Sequence, residues 1–287
     1  MIDLHLHTTA SDGRLSPAQL VARAAAAGLT TMSVTDHDTV AAVAEAGAEA
    51  AARGIRLVPG IEITAVAEER DVHMLGYFFD PTSAPLLTFL EGQRAQRIAR
   101  MREIGTRLAR LGMPVDVEAL VTTAATRPGT SVGRPLIARA LVAAGHVASV
   151  AEAFERWLAN GLPAFVPRTG PSPATVVEII HAAGGVASFA HPAVTKRDAL
   201  IAPLAEQGLD AIEVYHSDHL AEDVQQYRSL AQRLGVLVSG GSDFHGEDPG
   251  APAERSRARR STLGAIMLPP DDFAALERRA DEHRRRS

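Results

Sequence analysis

The stretch Ile2–His7, IDLHLH, decides how the rest of the chain is read. In a strand, successive side chains point to opposite faces. His5 and His7 therefore share one face, and Leu4 and Leu6 share the other. The leucine face suits an apolar core; the other presents two imidazoles side by side near the strand end. A half-buried strand with incidental polar residues accounts for this pattern, and so does a pair of metal ligands. The choice depends on whether the remaining chain supplies more ligands.

Outward from this strand, short apolar runs that end in polar residues alternate with Ala-rich helical stretches. Strands are expected at 2–6, 30–35, 56–63, 71–79, 186–190, 211–215 and 236–240. Helical punctuation is clear in SPAQLVARAAAAG, with Ser16 as N-cap, Pro17 in the first turn and Gly28 as the stop. SPATVVEIIHAAGG repeats it with Ser172, Pro173 and Gly184, and HLAEDVQQYRSLAQRLG ends at Gly235. This grammar means parallel strands joined by crossover helices. Residues 92–168 break the rhythm and read as helices only: RAQRIARMREIGTRLARLG, GRPLIARALVAAG and VAEAFERWLANG. The expected organisation is an α/β barrel domain at 1–91 and 169–287 with a helical insertion domain at 92–168. The charged tail LERRADEHRRRS reads as a solvated final helix.

Composition narrows the chemistry. The 287 residues are 46% hydrophobic and 22% charged, with a net charge of -5, which argues against coating long nucleic acid by bulk electrostatics. No cysteine is present, so thiol nucleophiles, disulfides and thiolate metal sites are excluded. No run approaches the ~18 apolar residues of a membrane span. The chain begins on a strand without a basic leader, so a cytoplasmic protein without membrane attachment is expected.

The histidines sort by position. His5, His7, His37, His73, His191, His216 and His245 lie in or just after expected strands, where sites form in parallel α/β folds. Asp12, Asp36, Asp38, Glu62 and Asp243 accompany them. A lone buried histidine is usually a satisfied core residue. So many strands each ending in an imidazole or a carboxylate weaken that reading. Neutral imidazoles with carboxylates suit divalent transition metals, and more than four ligands imply more than one ion. His146, His181 and His283 read as structural or solvated. His219 opens a helix and is expected to be exposed.

DLHLHTTASDG, VTDHDT, PGIEIT, VHMLGY, FAHP and GGSDFHG, in this order, resemble the PHP (polymerase and histidinol phosphatase) superfamily of metal-dependent phosphoesterases. GRPLIARALV is similar to its branch of nucleoside 3',5'-bisphosphate phosphatases and 5'-to-3' exoribonucleases. The resemblance implies a distorted (β/α)7 barrel of TIM type with three divalent ions (Mn, Zn or Fe). It also implies their ligands: His5, His7, Glu62 and Asp243 for one ion; Asp12, His37 and His245 for a second; Glu62, His73 and His191 for a third. Many members carry histidine where Asp12 stands. The implied reaction is attack of metal-bound hydroxide on phosphorus, in a nucleotide or short RNA, with no stable protein partner.

Within this resemblance His216 is the proposed proton donor to the leaving alkoxide, or a hold on a phosphate oxygen. A second phosphate needs fixed cations. Arg134, at the start of an insertion helix and beside its N-terminus, ranks first. Lys196, the single lysine, lies close after His191 and ranks second, and Arg168 ranks third, with a solvated surface cation its favoured reading. RSRARRS, residues 255–261, reads as an exposed loop that an RNA backbone would meet. Two other readings are weighed: a histidinol-phosphate phosphatase, and a non-catalytic metal-stabilised scaffold. Amidohydrolases also use His-x-His, with a bridging carbamylated lysine, and no barrel strand here holds a lysine.

Overall fold

The computed structural model describes residues 1–125, 133–247 and 262–286. One seven-stranded sheet runs in chain order: β1 (Ile2–Leu6), β2 (Thr31–Val34), β3 (Arg56–Ala67), β4 (Arg70–Tyr77), β5 (Val186–Phe189), β6 (Ala211–His216) and β7 (Leu237–Gly241). Every expected strand is present. The sheet curls until its ends nearly meet. Leu6 bridges Phe244, just past β7, and the His7 N–H donates to the Phe244 carbonyl at 3.0 Å. At this seam a Cβ on Gly241 would lie 2.3 Å from the His5 nitrogen, so only glycine lets the two edge strands come this close.

The alternation in β1 sorts as read. Leu6 packs with Leu20, Val21 and Ala24 of helix α1 (Pro17–Ala26) and with Ala46 and Ala50 of α2 (Val43–Ala52). Leu4 joins the larger core with Val176 and Ile180 of α7 (Pro173–Ala182). Asp3, His5 and His7 are buried on the other face, inside the barrel. Ser16 caps α1 as expected, accepting from the Gln19 N–H while Gln19 Oε1 accepts from the Ser16 N–H. Ser172 caps α7. Gly28, Gly184 and Gly235 take positive φ beyond their helices.

One strand departs from the parallel grammar. β4 runs antiparallel to both β3 and β5. No crossover helix separates β3 from β4; Glu68 and Glu69, both at positive φ, reverse the chain in two residues. The start of β4 therefore lies at the rim where the other strands end, which is why His73, early in its strand, still reaches the site.

Between β4 and β5 the chain forms α3 (Ala84–Arg110), α4 (Val117–Ala125), α5 (Arg134–Ala143) and α6 (Val150–Ala153), which continues into a π-turn at Phe154–Leu158. These helices bury Met101, Ile104, Leu108, Ile137, Leu141 and Leu158 in an apolar cluster of their own. Beyond β5 follow α8 (Pro192–Thr195), α9 (Ile201–Glu206) and α10 (Ala221–Leu234).

Two expectations change. The tail forms α11 (Pro270–Arg286), but it is not merely solvated. Phe273, Leu276 and Ala280, spaced along one stripe, are buried in the main core. Arg279 and His283 from α11, and His181 from α7, converge on buried Asp210 just before β6. His219 is buried rather than exposed, because its Nδ1–H donates to the Val214 carbonyl at 2.8 Å.

Candidate metal centre

Strand ends deliver the polar side chains to one rim. His5 and His7 come from the end of β1 and Asp12 from the loop after it. His37 follows β2, Glu62 lies in β3 and His73 in β4. His191 follows β5, His216 ends β6, and Asp243 and His245 follow β7. Backbone strain gathers here: Asp38, His191 and Asp243 all adopt positive φ.

Glu62 is the hub. Its Oε2 lies 3.2 Å from His5 Nε2, 3.3 Å from His7 Nε2 and 3.3 Å from His37 Nδ1. Its Oε1 lies 2.8 Å from His73 Nδ1 and 3.0 Å from His191 Nε2. Asp243 Oδ1 is 3.2 Å from His7 Nε2 and 3.4 Å from His5 Nε2. On the outer side, Asp12 is 3.3 Å from His245 Nε2 and 3.7 Å from His37 Nε2. All nine residues expected as ligands thus converge.

Hydrogen bonding alone does not satisfy this crowd. His7 Nε2 and His37 Nδ1 are buried and make no aligned hydrogen bond, although carboxylate oxygens lie within 3.3 Å of each. Burial works to raise the Glu62 carboxyl, yet His37, His73 and His5 hold it well below the usual range. Asp243 is likewise held down by His5, His216 and His7 against burial. Burial pushes His37 down to about 3 and also lowers His191, whereas the surrounding carboxylates outweigh burial at His5, His7 and His73 and raise all three. Ionised carboxylates among imidazoles, with His7 Nε2 and His37 Nδ1 left unsatisfied, are the donor set of a divalent transition-metal centre. The residues present fit such ions.

A family model described as PHP domain matches residues 3–164. The chain belongs to the PHP domain family. It is 38% identical to a 5'-3' exoribonuclease of Haemophilus influenzae, over 85% of this chain and 89% of that protein. It is 33% identical to a 3',5'-nucleoside bisphosphate phosphatase of Chromobacterium violaceum, over 89% of each. Among solved structures, one from Bifidobacterium adolescentis, titled for a metal-dependent phosphoesterase, superposes with a TM-score of 0.79 at 32% identity, covering 97% of this chain and 96% of that one. This PHP protein is a metal-dependent phosphoric ester hydrolase. No helix among its described residues is long and apolar enough to cross a membrane.

Tautomers divide the imidazoles of the PHP site. His245 Nδ1–H donates to the Asp243 carbonyl at 2.9 Å, which leaves Nε2 bare toward Asp12. His216 is set the opposite way. Its Nδ1 accepts the Asp218 N–H at 3.0 Å, so the neutral ring carries its proton on Nε2, 3.3 Å from Asp243 Oδ2. His216 also forms, with His5 and Asp243, a buried group whose ligand atoms lie close enough together to hold a metal ion.

Beside the centre, a cleft of about 240 Å³ opens between the α3–α6 helices and the β3–β4 hairpin. Arg97, Arg100, Arg134 and Arg168 line it, with Asp71. Arg134 begins α5 as expected; its guanidinium rests against the Phe154 and Phe165 rings, and it donates to the Leu158 carbonyl at 3.2 Å. Arg168 is not a solvated cation: its side chain is 15% exposed and pairs with Asp71 at 3.0 Å. Lys196 is exposed at the left-handed end of α8 and is not among the side chains lining this cleft. The RSRARRS run lies outside the described residues. Arg97 and Arg100 are the additions that the sequence reading lacks. Arg97 donates to Thr64 Oγ1 at 3.1 Å and pairs with Asp38. Their i,i+3 spacing on α3 was the available signal, submerged in an arginine-rich helix.

Proposed function

We propose that this enzyme cleaves the P–O bond on the 3' side of a 5'-phosphorylated nucleoside. It removes the 3'-phosphate of nucleoside 3',5'-bisphosphates, releases nucleotides from the 5' end of short RNA, or does both. The observation that carries the reading is Glu62, ringed by five imidazole nitrogens, beside a cleft lined by four arginines.

In this reading His5, His7, Glu62 and Asp243 hold one ion, Asp12, His37 and His245 a second, and Glu62, His73 and His191 a third, with Mn, Zn or Fe as the occupants. Such ions, when bound, lower the pKa of water and offset charge on phosphoryl oxygens. The chain's own residues do the rest. Arg134 and Arg168 grip the phosphate that is not cleaved, supported by Arg97 and Arg100; Lys196 contributes less. Guanidinium groups suit this because they bind phosphate through two parallel N–H bonds. His216, carrying its proton on Nε2, gives it to the leaving 3'-oxygen. The helical segment 92–168 acts as an insertion domain that supplies all four arginines, with Arg168 at its end.

A cytoplasmic enzyme working without a stable protein partner is part of the same reading. Histidinol phosphate, a single monoester, would leave the arginine cleft without an anion. The test compares phosphate release from adenosine 3',5'-bisphosphate, adenosine 3'-phosphate and histidinol phosphate by metal-loaded protein. The bisphosphate is expected to be the best substrate. Equal turnover of all three would remove the role given to the cleft.

A further inference from the structure

Glu213 belongs to none of the ligand sets, yet it is fully buried inside β6, in the stretch AIEVYH. Strict alternation would put Glu213 and His216 on opposite faces of the strand. The pairing of β6 with β7 shifts register between Glu213 and Tyr215, and this irregularity lets both side chains face His5.

The two oxygens of Glu213 take two different partners. Oε1 accepts His5 Nδ1–H at 2.8 Å, and Oε2 accepts the His191 backbone N–H at 2.7 Å. His191 sits at φ 28°, ψ 62°, a conformation that needs an external hold. From these anchors the rings reach opposite oxygens of Glu62: His5 Nε2 to Oε2 at 3.2 Å, and His191 Nε2 to Oε1 at 3.0 Å. Glu213 and Glu62 thus form the two ends of a frame, with His5 and His191 as its sides.

We propose that Glu213 is a positioning residue that keeps the His5 proton on Nδ1, bares Nε2 as a metal ligand, and holds the His191 backbone so that both ions flanking Glu62 are bound. A carboxylate accepts at both oxygens and can serve both partners, because a carboxylate has no proton of its own to donate. Glutamine cannot. With its oxygen on the His191 N–H, its amide donates to His5 Nδ1 and drives the ring proton to Nε2. With its oxygen on His5, its NH2 faces the His191 N–H, donor against donor. Outer partners of this kind tune metal affinity by about 10–100-fold. The inference rests on the metal reading of the site.

The test uses zinc-loaded protein. Histidine 15N spectra of the wild type report which ring nitrogen of His5 carries the proton, and elemental analysis reports bound metal at fixed free zinc. The expected result is a protonated Nδ1 in the wild type. In Glu213→Gln, metal affinity is expected to fall about 10–100-fold and kcat with it, while KM for adenosine 3',5'-bisphosphate stays within about twofold, since the arginine cleft is untouched. If His5 in the zinc-loaded wild type carries its proton on Nε2, the proposal is wrong, whether or not Glu213→Gln folds. It is also wrong if a folded Glu213→Gln loses thermal stability but binds zinc as tightly as the wild type. A wild type that retains no metal would overturn the metal reading itself, a separate and recognisable outcome.

Discussion

Glu62 and Asp210 are both buried carboxylates on which imidazoles converge, at opposite ends of the barrel, and they differ in how they are satisfied. Asp210 Oδ2 accepts from His181 at 2.7 Å and from the Ala187 N–H at 2.9 Å; Oδ1 accepts from His283 and Arg279, each at 2.9 Å. Four donors fill four acceptor positions, and the local charge is balanced by Arg279. Glu62 is approached by five imidazole nitrogens, and two orphaned nitrogens, on His7 and His37, stand among them. A buried polar atom left without a partner costs about 1–3 kcal/mol. A set of residues that keeps such atoms is built for something other than its own stability. Proximity alone would class both clusters as metal sites; the donor and acceptor count separates a clasp for α11 from a cation centre.

The largest expected effect comes from the hub. Glu62→Gln is expected to lower metal content and to reduce phosphoester hydrolysis by at least about a hundredfold, since a residue touching the ions outweighs one in the next layer. Circular dichroism should show the fold retained, and full activity in this variant would end the distinction between the two carboxylates. Next come the cations of the cleft. Arg134→Ala or Arg168→Met should raise KM for adenosine 3',5'-bisphosphate by about 10–100-fold, the worth of a charge-assisted hydrogen bond, with a smaller effect on adenosine 3'-phosphate.

Asp210 should behave in the opposite sense to Glu62. Burial raises its carboxyl, but His181 and its other donors outweigh burial and bring it from 3.8 down to about 2. A depressed carboxyl stabilises the fold above pH 4, and that stabilisation is lost as pH falls through about 2. Asp210→Asn is therefore expected to cost about 2 kcal/mol at neutral pH and to leave kcat/KM unchanged. The difference from the wild type should shrink between pH 4 and pH 2 in denaturant titrations. The smallest effect is that of Lys196→Ala, whose KM should stay within about twofold of the wild type, because an exposed, flexible ammonium contributes little.

Much of this centre is legible from sequence because of where its residues stand. His5, His7, Glu62, Asp243 and His245 each lie at or just beyond an apolar run that forms a strand, so the rim of a barrel collects them. His73 is legible only in part: its residue type signals a ligand, but the two-glutamate reversal that turns β4 antiparallel carries none of the usual Asn-Gly signal. Glu213 is hidden because alternation counted from His216 puts it on the opposite face, and only the register shift between them lets both face inward. Arg97 and Arg100 are hidden, and Arg168 ranks last among the expected cations, because a cation facing an internal cleft and a cation facing water look alike in one dimension. The clasp at Asp210 depends on contacts between residues distant in the chain, which no local pattern encodes.

The most direct measurement of the central claim is 3'-phosphate release from adenosine 3',5'-bisphosphate by manganese-loaded protein, with His7→Ala and a chelated sample as controls. Rapid release that disappears in both controls is the expected result. Absence of turnover by protein shown to hold its metal, or turnover that survives His7→Ala and chelation alike, would contradict it.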